Sequence, residues 1–213
     1  MADLIELFDA WAVNGRAEGM EQGHSLPARM AFEKLCLGAR STFLDIGCGN
    51  GYAVRWAAQT SPHGAALGID ASPAMIERAR AASVRLANAA FRVASFPSAD
   101  LPEGPFDAIF SMEAFYYLPD LDAALRRVSE LLTPPGRFAC VVDYYAENEA
   151  SHSWPGDLGV PMKLLDAESW AAAFVRNGLS VVEQARLRTP PGRASASWKE
   201  TCGSLLTLGG VAR

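Results

Sequence analysis

Two acids and three glycines carry the clearest chemistry in this sequence. Asp45 stands two residues before Gly47, and Gly47, Gly49 and Gly51 alternate through Gly47-Cys48-Gly49-Asn50-Gly51. A second acid, Asp70, ends a separate apolar run, Ala65-Ala66-Leu67-Gly68-Ile69. Glycines so spaced after a strand make a turn where a ligand can approach the backbone closely. The flanking residues decide which ligand. A phosphate loop needs Lys followed by Ser or Thr after the last glycine, and Tyr52-Ala53 stands there instead. A dinucleotide turn needs a further glycine three residues after Gly49, where the sequence has Tyr52. That reading is weakened, not removed. Asp45 would face any pyrophosphate at the turn, and like charges in a partly desolvated site are costly. A cationic or zwitterionic ligand suits it better. Asp70 is placed to accept both hydroxyls of a ribose, each charge-assisted bond contributing roughly 1.5–3 kcal/mol. An adenosine carrying a sulfonium and an amino-acid tail satisfies both acids.

Strands and helices must hold these residues in place. Phe43, Leu44 and Ile46 read as the end of a buried strand, and Val54 to Ala58 as the start of a helix beyond the turn. Residues 65–70 make a second strand, and Ser72-Pro73 opens a helix with an N-cap and a first-turn proline, followed by a helical stretch over 75–87. Residues 91–94 and 106–111 read as strands, with a loop through Pro97 and Pro102 between them. A helix is expected over 121–132, stopped by Thr133-Pro134-Pro135-Gly136, and a fifth strand over 137–143. Alternating strand and helix predicts a parallel sheet covered on both faces. Ahead of it, Leu4, Leu7, Phe8 and Trp11 predict a short helix over 3–12, and Pro27 is read as opening a second helix to about Leu37. The polar stretch 16–25 between them is read as a connection. Residues 144–162 show no steady period, so a long loop is expected there. A last helix over 167–176 precedes strands at 180–187 and 203–208, which lack a helix between them and should pair antiparallel.

Composition bounds the function. The 213 residues fit one domain, divided as an N-terminal helical cap (1–39), a core (40–143) and an acceptor-side remainder (144–213). A net charge of −5 disfavours a nucleic-acid binder. Cys36, Cys48, Cys140 and Cys202 lie far apart, with no paired spacing and no histidine at metal-ligand spacing. They are read as free buried thiols, and no metal site is expected. No apolar run approaches the ~20 residues of a membrane span, and a cytoplasmic protein, monomer or homodimer, is expected.

Four segments resemble one family. Leu44-Asp45-Ile46-Gly47-Cys48-Gly49-Asn50-Gly51 is similar to the first motif of the class I S-adenosylmethionine-dependent methyltransferases. Gly68-Ile69-Asp70-Ala71-Ser72-Pro73-Ala74-Met75 resembles their second-strand motif. Phe106-Asp107-Ala108-Ile109-Phe110-Ser111 with Tyr116-Tyr117-Leu118-Pro119-Asp120 resembles the fourth-strand motif, and residues 131–138 the helix-to-strand turn. The likeness covers about residues 40–143 and is nearest the small-molecule, quinone-pathway-like branch. It implies a Rossmann-like α/β fold with seven strands in the order 3-2-1-4-5-7-6, the seventh antiparallel. It also implies S-adenosyl-L-methionine as cofactor and S-adenosyl-L-homocysteine as product. By motif, Asp45, Gly47, Cys48, Gly49 and Gly51 would hold the methionine tail, and Asp70 with Ala71 the ribose. Ser95 and Phe96 would meet the adenine, and Ser111, Met112 and Phe115 the methionine side. Many relatives carry an acid where this chain has Ser95.

Methyl transfer from such a donor is an in-line displacement, so holding the nucleophile on axis matters most. A base is needed only if the acceptor must first lose a proton, and Tyr116, Glu113 and His24 are the candidates. Tyr117, Tyr144, Tyr145, His152 and Trp154 would line a pocket for an aromatic or apolar small molecule. Two other functions fit parts of the pattern: a non-catalytic cofactor-binding partner or regulatory subunit of the same fold, and a nicotinamide-dependent oxidoreductase.

Overall fold

The computed structural model describes residues 2–97 and 104–211. Residues 98–103, part of the loop expected after the third strand, lie outside them. The strands are β1 (Thr42–Ile46), β2 (Ala65–Asp70), β3 (Ala89–Val93), β4 (Phe106–Met112), β5 (Leu132–Val142), β6 (Ser180–Leu187) and β7 (Ser204–Gly210). They form a single sheet in the order β3-β2-β1-β4-β5-β7-β6. β1 to β5 pair in parallel, and β7 runs antiparallel to both β5 and β6. The sheet reverses at its end for a local reason. Between β6 and β7 the chain forms only α8 (Trp198–Thr201), a single short turn, and no helix long enough to carry it back along the sheet for a parallel crossover.

The other helices are α1 (Ala2–Val13), α2 (Arg16–Glu33), α3 (Tyr52–Thr60), α4 (Pro73–Ala82), α5 (Leu121–Leu131), α6 (Trp154–Leu158) and α7 (Ala167–Arg176). Alternation along β1 sends Phe43 to one face of the sheet and Leu44 and Ile46 to the other. On the first face, Phe32 of α2, Val54 of α3 and Ile76 of α4 pack with Phe43, Phe110 and Val141. On the second, Leu125 and Val128 of α5 and Trp170 and Phe174 of α7 pack with Ile109 and Phe138. α1 lies outside the first layer, with Ala12 against Met75 of α4. Helix starts follow the residues that cap them: Ser72 Oγ accepts from the Met75 N–H at 3.1 Å, and Asp120 Oδ1 from the Ala123 N–H at 2.9 Å.

Four expectations need correction. The polar stretch 16–25 is helical, and Pro27 lies inside α2 instead of opening it. Its residues are polar because they face polar partners: Glu21 Oε2 accepts from Asn50 Nδ2 at 2.7 Å and lies 3.6 Å from Arg55. Proline has no N–H for the carbonyl four residues back, and that carbonyl, Gly23, accepts instead from Lys199 Nζ at 2.6 Å. The chain enters β5 already at Leu132, where a register irregularity opposite Phe106 and Ala108 accommodates the two prolines. Residues 144–162 are a built segment containing α6, held by Tyr145, whose hydroxyl donates to the Gly203 carbonyl at 2.8 Å. Of the four cysteines, Cys48 and Cys140 are buried but Cys36 is exposed and Cys202 half-buried; all are free.

Candidate active site

The glycine turn is pinned to the neighbouring strand. The Gly47 and Cys48 N–H groups both donate to the Ile69 carbonyl, at 2.9 and 3.0 Å. Gly47, Gly49 and Gly51 all adopt left-handed φ, which L side chains adopt only at a cost. At Gly51 a Cβ would also lie 2.5 Å from the Phe91 ring, so the α3 entrance is tight as well as left-handed. Asp70 closes the turn from β2. One carboxylate oxygen accepts from the Gly49 N–H at 2.9 Å and the other from the Ser72 N–H at 2.9 Å, and each keeps a free lone pair. Asp45 is 3 % exposed beneath the turn. Burial first, then the charge of Asp70, pushes its carboxyl well above the usual carboxylate range. Burial likewise raises Asp70, and raises the Cys48 thiol so far that it stays protonated and unreactive.

Above the carboxyl ends of β1, β2 and β4 lies a cleft with about 1080 Å³ of empty space, part of it open to solvent. Gly47, Cys48, Gly49, Asp70, Ala71, Ser95, Phe96, Met112, Glu113 and His24 all line it. Asp45, Gly51, Ser111, Phe115 and Tyr116 are not among the lining residues. Their surroundings show why. Ser111 Oγ donates to the Ile46 carbonyl at 2.8 Å and so ties β4 to β1. Phe115 is buried between Phe96 and Phe138, with ring centroids 6.0 and 5.2 Å away. Tyr116 is buried, and its hydroxyl donates to Glu113 Oε2 at 2.8 Å.

The aromatic lining expected from the segments after β4 and β5 is mostly not there. Of those rings only Tyr117 reaches the cleft. Tyr144 packs on Tyr116 and Trp154, and Tyr145 is fully buried. His152 bonds the Ala146 carbonyl through Nε2 at 2.9 Å, an anchor for its own loop. The apolar wall comes instead from the N-terminus: Leu4, Ile5 and Phe8 of α1 and Met20 of α2. The helical spacing of Leu4 and Phe8 was visible in the sequence, but nothing local showed that this stripe covers a cleft. Glu21, Asn50 and Tyr52 also line it, and the Asn50 Oδ1 is buried without a hydrogen-bond partner.

The inner end of the cleft is polar. Glu113 adopts φ 60°, unusual outside glycine, and its N–H donates to the Val141 carbonyl at 2.9 Å. Its carboxylate accepts from Tyr116 and from the Asp143 N–H. Burial and the neighbouring Asp143 push its carboxyl up. Burial also raises Asp143, to about 6, and burial followed by the Lys199 charge lowers the His24 imidazole to about 4. At neutral pH His24 is therefore uncharged.

Comparison with known proteins decides the family. Residues 37–171 match the model of a methyltransferase domain. This chain belongs to that family. Its motifs and sheet order are those of the class I S-adenosylmethionine-dependent methyltransferases. A methyltransferase of Haloferax volcanii, solved in complex with the Trm112 methyltransferase activator, is 32% identical, with a TM-score of 0.88 over 97% of this chain and 98% of that one. A trans-aconitate 2-methyltransferase of Methylobacterium radiotolerans is 33% identical over 66% of this chain and 56% of its own length. An uncharacterized methyltransferase of Mycobacterium bovis is 39% identical over 46% of this chain and 48% of its own. The chain thus spans about half the length of the curated relatives it matches. A methyltransferase of Burkholderia thailandensis, solved with S-adenosylhomocysteine, shares the fold at 18% identity and a TM-score of 0.74, covering 100% of this chain and 88% of that one. Among the described residues no helix is long and apolar enough to cross a membrane.

Proposed function

We propose that this methyltransferase binds S-adenosylmethionine in the cleft and methylates a small apolar or aromatic acceptor. One observation carries the reading: two acids, the buried Asp45 and the half-buried Asp70, flank the glycine turn, and the described lining holds no lysine or arginine. A pyrophosphate would meet negative charge with nothing to balance it, whereas a cationic tail is attracted. The partnerless Asn50 Oδ1 adds an acceptor suited to an ammonium donor.

In this reading Asp45 and the turn from Gly47 to Gly51 hold the amino-acid tail, Cys48 included, Asp45 from its buried position beneath the turn. Asp70 uses its free lone pairs for the ribose beside Ala71. Ser95 and Phe96 meet the adenine, and Met112 lies along the methionine side. Ser111 and Phe115 position the turn and the β4 end from behind. The cofactor, when bound, supplies a methyl group on a sulfonium that is already a good leaving group. The residues of α1 and α2 exclude water and press the acceptor toward that methyl. Such positioning is worth about 7–11 kcal/mol in favourable cases. Tyr116 acts through Glu113, fixing its carboxylate. The protein works in the cytoplasm on a diffusible acceptor.

Calorimetric titration with S-adenosylhomocysteine and with NADH tests the reading. Heat from the first and none from the second is expected; heat from NADH alone would reinstate the oxidoreductase. A second reading concerns assembly. The Haloferax relative was solved with an activator, which favours a heterodimer over the monomer or homodimer expected from sequence. Co-elution with a Trm112 protein on size exclusion is the measurement.

A further inference from the structure

Three groups from distant parts of the chain converge at the polar end of the cleft. His24 comes from α2, Glu113 follows β4 and Asp143 follows β5. One ligand atom from each lies within 4.8 Å of the other two, and His24 Nε2 is 3.8 Å from Asp143 Oδ2. Asp143 is 1% exposed, and its carboxylate oxygens have no hydrogen-bond partner in place, the nearest candidate being the buried and likewise unpartnered Ser204 hydroxyl. Buried carboxylate oxygens are seldom left so, because an unpaired one forfeits its hydration without replacement. Lys199 is the nearby cation, but its ammonium is directed to the Gly23 carbonyl.

We infer that His24, Glu113 and Asp143 form a binding site for a first-row divalent cation. One imidazole nitrogen and two carboxylates suit zinc or manganese, and calcium or magnesium less well. Ligand atoms about 2.0–2.2 Å from an ion stand roughly 3–3.5 Å apart, so the His24–Asp143 pair at 3.8 Å needs a shift of a few tenths of an ångström, and any pair near the 4.8 Å limit of the set needs side-chain movement of about an ångström. Three protein ligands leave a position open, and because His24 and Glu113 line the cleft it opens there. An acceptor oxygen bound at that position would be drawn toward the methyl donor. Only this last role rests on the methyl-transfer reading; the site itself does not.

The test uses the chain with the exposed Cys36 replaced by serine, so that its thiol cannot take the metal. The chelator-treated protein is titrated calorimetrically with Zn²⁺ and Mn²⁺. One ion per chain is expected, with zinc the tighter. His24→Gln and Asp143→Asn should each weaken zinc by at least about tenfold. Without zinc, Asp143→Asn should melt no lower than its parent, since it removes a buried charge; with zinc, only the parent should gain. Co²⁺ loading needs no variant and should give the absorption of a nitrogen–oxygen site without a thiolate charge-transfer band. No heat from zinc, unchanged affinity in both variants, or a thiolate band would each overturn the site. S-adenosylhomocysteine binding, measured separately, reports on the cofactor reading alone.

Discussion

Lys199 Nζ donates to the Gly23 carbonyl at 2.6 Å, across 176 residues of sequence. The bond exists because Pro27 cannot satisfy that carbonyl from within α2. It joins the short helix before β7 to the helix that walls the cleft. Lys199→Met should therefore destabilise the fold by about 1.5–3 kcal/mol, the usual worth of a bond to a charged group. In a Pro27→Ala background the new N–H serves the carbonyl, and the same substitution should cost clearly less. Denaturant melts of the four proteins measure this coupling, and equal costs in both backgrounds would refute it.

Asp45 gives a pH dependence with a definite sign. Burial and Asp70 hold its folded pKa above the unfolded value of about 3.9, so the folded state binds the proton more tightly. Its contribution is most favourable at low pH and declines as pH rises through that window toward the raised pKa. Asp45→Asn does not titrate. Its melting temperature should exceed the parent's by more at pH 8 than at pH 5. A constant or shrinking gap contradicts this.

Asp70 holds the turn and is assigned the ribose. Asp70→Ala should weaken S-adenosylhomocysteine at least about tenfold, a loss of about 1.4 kcal/mol or more. Asp70→Asn keeps one oxygen for one of the two backbone N–H groups, so its affinity should fall between. Calorimetry settles the order of the three.

Gly51→Ala combines a left-handed φ of 81° with a Cβ 2.5 Å from the Phe91 ring. Overpacking of this kind costs about 1–3 kcal/mol, and the left-handed backbone about 1–2 more. Its melting temperature should drop by more than that of Gly49→Ala, whose Cβ meets nothing within 4 Å.

Tyr116→Phe removes the hydroxyl bonded to the half-buried Glu113 carboxylate, at an expected cost of about 1.5–3 kcal/mol. Because Tyr116 does not line the cleft, affinity for S-adenosylhomocysteine should stay close to the parent's. Thermal melts and titration separate the two effects; a large affinity loss would return Tyr116 to the site.

The cofactor half was legible in the sequence because its features are local. Asp45, the glycine turn, Asp70 and the Ser72-Pro73 helix start are each written in a few consecutive residues, and strand–turn–helix geometry follows from them. The parallel core and the antiparallel end of the sheet follow from which strands have a helix between them. The other half was decided only by the tertiary structure. A proline read as a helix start sits inside α2, since Lys199, far along the chain, serves the carbonyl it frees. The acceptor wall belongs to Leu4, Phe8 and Met20, not to Tyr144 or Tyr145, because β5 and β7 draw those tyrosines into the core. His24, Glu113 and Asp143 have no spacing that marks them as a set. They meet because β4 and β5 lie side by side and end together at the carboxyl end of the parallel strands, with α2 packed on β5.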